Sequence, residues 1–98
     1  MKITTMQNGT NLTISLEGRL DTVTSPELEA ELKNSMDAAE SLTLDFSNLD
    51  YISSAGLRVL LSAHKLMSRK GGMKVTNVNE IVKEVFDVTG FADILTIE

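Results

Sequence analysis

Ser53, Ser54 and His64 are the chain's candidates for a nucleophile and its base, the pairing that hydrolytic serine chemistry needs. Their spacing separates them. If Ser54 opens the helix that carries His64, ten residues at 1.5 Å each set the two about 15 Å apart, far beyond the reach of a general base. His64 also falls on one helical stripe with Leu57, Leu60 and Leu61, so it reads as a packed or boundary histidine. Asp21, Asp45 and Asp50 lie near predicted strand ends or in loops, where carboxylates commonly cap or stay solvated, and no acid–base pair motif joins them. No catalytic residue is assigned. Ser53-Ser54-Ala55-Gly56 at a helix start has two readings. Its first amides are an anion site able to cradle a phosphate, or, with one Gly and no following Lys, a serine simply caps the helix.

The rest of the composition narrows the classes further. Zero Cys excludes disulfides, thiol catalysis and Cys-ligated zinc, and a single His leaves no transition-metal set, so neither metal nor cofactor is expected. A net charge of -5 argues against direct nucleic-acid binding, which depends on neutralising phosphates with Lys and Arg. Aromatics at 4% leave no stacking platform for single strands. The 98 residues predict one domain, spanning 1–98. No apolar run approaches the roughly 18 residues of a membrane span, and Met1 to Leu12 is too polar for an export signal. The expectation is a cytoplasmic protein without membrane insertion. Charge is unevenly spread, however: Tyr51 to Asn79 holds no Asp or Glu but carries Arg58, Lys65, Arg69, Lys70 and Lys74.

Elements that would position Ser53 and Ser54 follow from periodicity. Lys2–Met6 and Leu12–Glu17 are strands around Asn8-Gly9, a strong hairpin signal. Gly18–Thr24 reads as a loop holding Asp21, and Ser25-Pro26 as the cap and first turn of a helix with Leu28, Leu32, Met36 and Ala39 on its inner stripe. Ser41–Phe46 alternates as a strand, Ser47–Ile52 reads as a loop, and the second helix runs from Ser53 to about Lys70, ended by Gly71-Gly72. Met73–Asn77 is a strand, Glu80–Thr89 a third helix with Val82, Val85 and Phe86 inward and Gly90 as terminator, and Ile94–Ile97 a last strand. The order ββαβαβαβ predicts an α/β domain: a mixed sheet with an N-terminal hairpin, then alternating strands and helices. The strands alternate instead of reading as continuous apolar runs, which places helices mainly on one face.

On the second helix, Arg58, Ser62, Lys65 and Arg69 line one stripe, a solvated face or a contact for an acidic partner. Two apolar arcs, one of Leu57, Leu60, Leu61 and Met67 and one of Val59, Ala63 and Leu66, together exceed what one sheet face covers. The excess packs on a neighbouring helix or meets a partner.

The run Leu44-Asp45-Phe46-Ser47-Asn48-Leu49-Asp50-Tyr51-Ile52-Ser53-Ser54-Ala55-Gly56-Leu57 resembles the signature of the STAS domain, specifically of bacterial anti-sigma factor antagonists. Gly18-Arg19-Leu20-Asp21 resembles that family's other loop motif, and Val85-Phe86-Asp87-Val88-Thr89-Gly90-Phe91 its third helix and terminator. The resemblance covers nearly the whole chain. It implies a non-enzymatic STAS-type binding protein whose Ser54 is phosphorylated, with Asp21, Ser53, Ser54, Ala55, Gly56 and Arg58 forming the partner surface. The implied partners are an anti-sigma factor that is itself a serine kinase of the histidine-kinase-like ATPase fold, and a PP2C-type phosphatase that restores the serine. Unphosphorylated, the protein would bind the kinase and free a sigma factor, and so regulate transcription. Ser53 stands where the family usually has Asp, Arg19 where an acidic residue is frequent, and the C-terminal helix of many members has no counterpart. The alternative within the same fold is a regulatory subunit of a lipid-type ABC transporter.

Overall fold

The computed structural model describes all residues from Met1 to Glu98. The elements run β1 (Lys2–Asn8), β2 (Asn11–Leu20), α1 (Ser25–Ser35), β3 (Ser41–Ile52), α2 (Ser54–Met67), β4 (Met73–Thr76), α3 (Glu80–Thr89) and β5 (Thr96–Ile97), with short 3₁₀ turns at Met36–Ala38 and Phe91–Asp93. The five strands lie side by side in sequence order. β1 is antiparallel to β2, and the remaining neighbours are parallel. The mixed α/β architecture expected from the sequence is therefore present.

The hairpin turn falls one residue later than Asn-Gly alone suggests. Asn8 pairs with Asn11, leaving Gly9-Thr10 as the two-residue loop. Gly9 takes φ 64° there, a conformation that suits the first central position of a II′ turn and that glycine adopts without a side-chain clash.

A sheet that grows in one direction through right-handed crossovers carries successive helices on the same face. Burial agrees: Leu12, Ile14 and Leu16 on β2 and Leu42, Leu44 and Phe46 on β3 are buried, while Thr13, Ser15, Thr43 and Asp45 between them are not. A single cluster of 23 buried apolar residues joins the helices to that face, with Phe46 against Phe86 at a centroid distance of 6.4 Å. Each fully buried Leu, Ile or Phe is worth about 1.5–3 kcal/mol. The three ion pairs of the chain all involve substantially exposed side chains, where such pairs contribute about 0–1 kcal/mol. Burial, not charge pairing, holds this fold.

Two segments expected to be loops are strand. β2 continues through Gly18 to Leu20, and β3 through Ser47 to Ile52. The reason is a pair of register shifts between β2 and β3: Ser15 opposes Asp45 but Glu17 opposes Asn48, and Gly18 opposes Leu49 but Arg19 opposes Tyr51. Each shift adds a residue to β3, so its buried positions jump from Phe46 to Leu49 to Ile52 and the period-two signal disappears. The last strand is shorter than expected, because Phe91–Asp93 winds into a 3₁₀ turn and Leu95 goes to the core.

Candidate functional site

The extended ends of β2 and β3 carry Leu20 and Ile52 to the same height. The Ser53 amide then donates to the Leu20 carbonyl at 2.9 Å, fixing the start of α2 beside the turn that leads into α1. Gly56 completes the joint. A Cβ there would sit 2.8 Å from Leu20 Cγ and 2.9 Å from Ile52 Cγ1, so only glycine lets the first turn of α2 settle on the strand ends.

Asp21 organises the neighbouring turn. Its Oδ1 accepts from the amides of Val23 and Thr24, both at 3.0 Å, and its carbonyl accepts from the Ser25 amide and hydroxyl. The bonds to the carboxylate, the Thr24 amide foremost, hold the Asp21 carboxyl below its ordinary pKa, with the Arg19 guanidinium, 3.9 Å from Oδ2, adding to the shift. Arg19 also stacks on the Tyr51 ring, 4.8 Å from its centroid. Ser25 is not the cap of α1: it is buried inside the first turn, and Thr24 holds the N-cap position without a side-chain cap bond.

Ser53 is the N-cap residue of α2 but makes no side-chain cap bond, and its Oγ is buried without a protein partner. The capping reading of the double serine therefore fails at Ser53, which holds the position through its backbone alone. Ser54 is the first residue of the helix and is exposed. Its neighbours divide by role: Ala55 is half-buried, Gly56 is buried and acts through packing, and Arg58 is exposed. A shallow hollow at the rim between the turn and α2 is lined by Thr22, Ser25, Pro26, Glu29, Ala55 and Arg58, among others, with Asp21 and Ser54 outside its lining.

α2 contains no Asp or Glu, and Arg58 follows Ser54 by four residues. A group on the Ser54 oxygen thus stands at a positive helix terminus with a guanidinium one turn away. His64 is half-buried on the same helix, ten residues on from Ser54 as the spacing required. No group of three His, Cys, Asp or Glu side chains is placed to hold a metal ion.

Two residues escaped the sequence reading. Asn79 caps α3, its Oδ1 accepting from the Val82 amide at 2.8 Å, while its Nδ2 donates to the Leu49 carbonyl on the bulged half of β3. Asn at a helix start was the available signal. Asn77, at φ 58°, donates to Asp45 Oδ1 at 2.9 Å and is the main reason the Asp45 carboxyl lies below its ordinary pKa. Nothing in the local pattern marked it.

The family model for the STAS domain matches residues 2–98, and the chain belongs to that family. Among similar sequences, the anti-sigma factor antagonist candidate BtrV of Bordetella bronchiseptica is 38% identical over 99% of this chain and 85% of its own length. The anti-sigma F factor antagonist of Paenibacillus polymyxa is 34% identical over 88% of this chain and 76% of its own. Among solved structures, an anti-sigma factor antagonist from Mycobacterium paratuberculosis superimposes with a TM-score of 0.89 at 21% identity, covering 98% of this chain and 83% of that one. Unphosphorylated SpoIIAA, described as an anti-sigma factor antagonist, superimposes at 0.83 with 19% identity, covering 99% and 88%. These structural likenesses establish the fold. No helix is long and apolar enough to cross a membrane.

Proposed function

We propose that this chain is an anti-sigma factor antagonist working by partner switching. In its unphosphorylated form it binds an anti-sigma factor that is a serine kinase of the ATPase type, and transfer of phosphate to Ser54 ends that binding until a PP2C-type phosphatase removes it. The observation that carries the reading is the placement of Ser54: an exposed hydroxyl on the first residue of α2, beside the turn that Asp21 organises. The names of the similar sequences and the existence of SpoIIAA in phosphorylated form support it.

The chain contributes position and no chemistry to the transfer. A kinase covering this rim brings the Ser54 oxygen to a γ-phosphate held by the kinase, a step governed by alignment. The product is accommodated by the fold, because the phosphate gains the helix terminus and Arg58, worth about 0.3–1 kcal/mol for such a charge. Disruption arises at the interface, where about 1.5–2 added negative charges meet a desolvated contact.

Incubation with a cognate anti-sigma kinase and ATP, followed by fragment mass spectrometry, tests the reading: phosphate on Ser54 alone supports it. Phosphate on Ser53, or none, contradicts it.

A further inference from the structure

Two arginines border the joint where Ser53 meets Leu20: Arg19 precedes Leu20 on β2, and Arg58 lies one turn into α2. The chain treats them differently. Arg19 is engaged, 3.9 Å from Asp21 Oδ2 and stacked on the Tyr51 ring. Arg58 is exposed, lines the hollow beside the start of α2, and belongs to none of the three ion pairs, which are Arg19–Asp21, Lys33–Glu29 and Lys74–Glu98. α2 offers it no carboxylate anywhere between Ser54 and Met67. Glu29, the acidic residue lining the same hollow, is held by Lys33 at 3.3 Å.

A guanidinium left in water needs no partner, but one that is covered without an acceptor carries the full penalty of a desolvated charge. A kinase that covers Ser54 closely enough to bring a γ-phosphate to it also covers Arg58, four residues along the same helix face. The chain has no acceptor to give, so the covering surface must supply one, and a carboxylate matches the planar guanidinium best. The acceptor that the chain can acquire for itself is a phosphate on Ser54. An anion four residues before a cation is the favoured order on a helix, and arginine holds phosphate through two parallel bonds.

We infer that Arg58 is the exchangeable cation of the switch: it pairs with a carboxylate of the anti-sigma kinase while Ser54 is unmodified, and with the Ser54 phosphate afterwards. Phosphorylation then acts twice. It withdraws the cation that the kinase carboxylate needs, and it sets a second anion in front of that carboxylate. The inference rests on the partner-switching reading and adds to it the chemistry of the kinase's contact group and the residue that changes partners. A guanidinium that only softened the charge of the phosphate would have the opposite consequence, because removing it would make phosphorylation more damaging to binding.

Phosphoserine introduced at position 54 during translation gives the modified chain without a kinase, and Arg58→Gln removes the cation from both forms. The melting temperature of Arg58→Gln should stay near wild type, as at most exposed positions. In a phosphorus NMR titration the second phosphate pKa, ordinarily about 6, should rise by about 0.3 in Arg58→Gln, the effect of losing one such helix ion pair, and by less in Arg58→Lys. In calorimetric titration against the kinase with ADP, Arg58→Gln should weaken the unphosphorylated chain by about 10-fold. The loss caused by the phosphate should shrink from about 100-fold to about 10-fold, the non-additivity expected of groups that share a partner. A phosphate pKa unmoved by Arg58→Gln overturns the inference without recourse to any kinase. So does a phosphate effect on binding that keeps its wild-type size, or grows, in Arg58→Gln. Equal binding of the two wild-type forms overturns the partner-switching reading, and this inference with it.

Discussion

The Ser53 amide and the Leu20 carbonyl are joined by a 2.9 Å hydrogen bond, and through it the start of α2 is set by the end of β2. That one joint sets Ser54 and the packing of Gly56 beside the turn that Asp21 organises.

The hydroxyl of Ser53 contributes nothing to it. Ser53→Ala should leave stability unchanged or raise it, because the Oγ is buried without a protein partner and makes no cap bond. Thermal unfolding by circular dichroism decides this. A fall of about 1 kcal/mol, the usual loss of a side-chain cap, would show that the hydroxyl does cap α2.

Gly56→Ala should destabilise the domain by about 1–3 kcal/mol, the usual effect of forcing a methyl group into a filled core. Its Cβ would approach Leu20 and Ile52 within 3.0 Å. Urea unfolding at unchanged m measures the loss, and a midpoint equal to wild type would mean the joint is loose.

Much of this architecture was legible because alternation and helical spacing survive wherever an element buries one face, as in Leu12–Leu16, Leu42–Phe46 and Val82–Phe86. It failed at Ser47–Ile52, where two added residues in β3 break the alternation that marks a strand. The candidate site was legible only through resemblance. Neither the Ser53–Leu20 bond nor the Asn77–Asp45 bond is local in sequence, so no window of residues announces either.

Asp45 and Asp21 both titrate below the ordinary carboxylate value, mainly through the Asn77 amide and the Thr24 amide respectively. Their depressed folded-state pKa values add stability that is fully present above the unfolded value of about 3.9. That stability is lost as pH falls through the lower folded values. Asp45→Asn should therefore be less stable than wild type at neutral pH, and the gap should close in acid. Melting curves from pH 6 down to about 2.5 check the sign; a gap that widens in acid would contradict it.

Ser54→Asp should fold normally, with a melting temperature within a few degrees of wild type. Ser54 is exposed at the first position of α2, where a carboxylate gains about 0.3–1 kcal/mol from the helix terminus. Loss of cooperative unfolding would mean that the position is structural.

Asp21→Asn should weaken binding to the anti-sigma kinase, because the turn it orders forms one side of the Ser54 rim. Lys83→Ala, at an exposed position on α3 that does not line the hollow beside Ser54, should change binding by no more than a factor of about two. Calorimetric titration in the presence of ADP compares them. Equal losses, or a loss only at Lys83, would move the interface off the Ser54 rim.

The central claim is that one phosphate on Ser54 switches affinity without refolding the chain. Titrating the same kinase with unphosphorylated protein and with protein phosphorylated on Ser54, with circular dichroism spectra of both forms, measures it directly. The account predicts superimposable spectra and an affinity lower by about 100-fold for the phosphorylated form, equivalent to roughly 2.7 kcal/mol. Equal affinities, or a loss accompanied by unfolding, would contradict it.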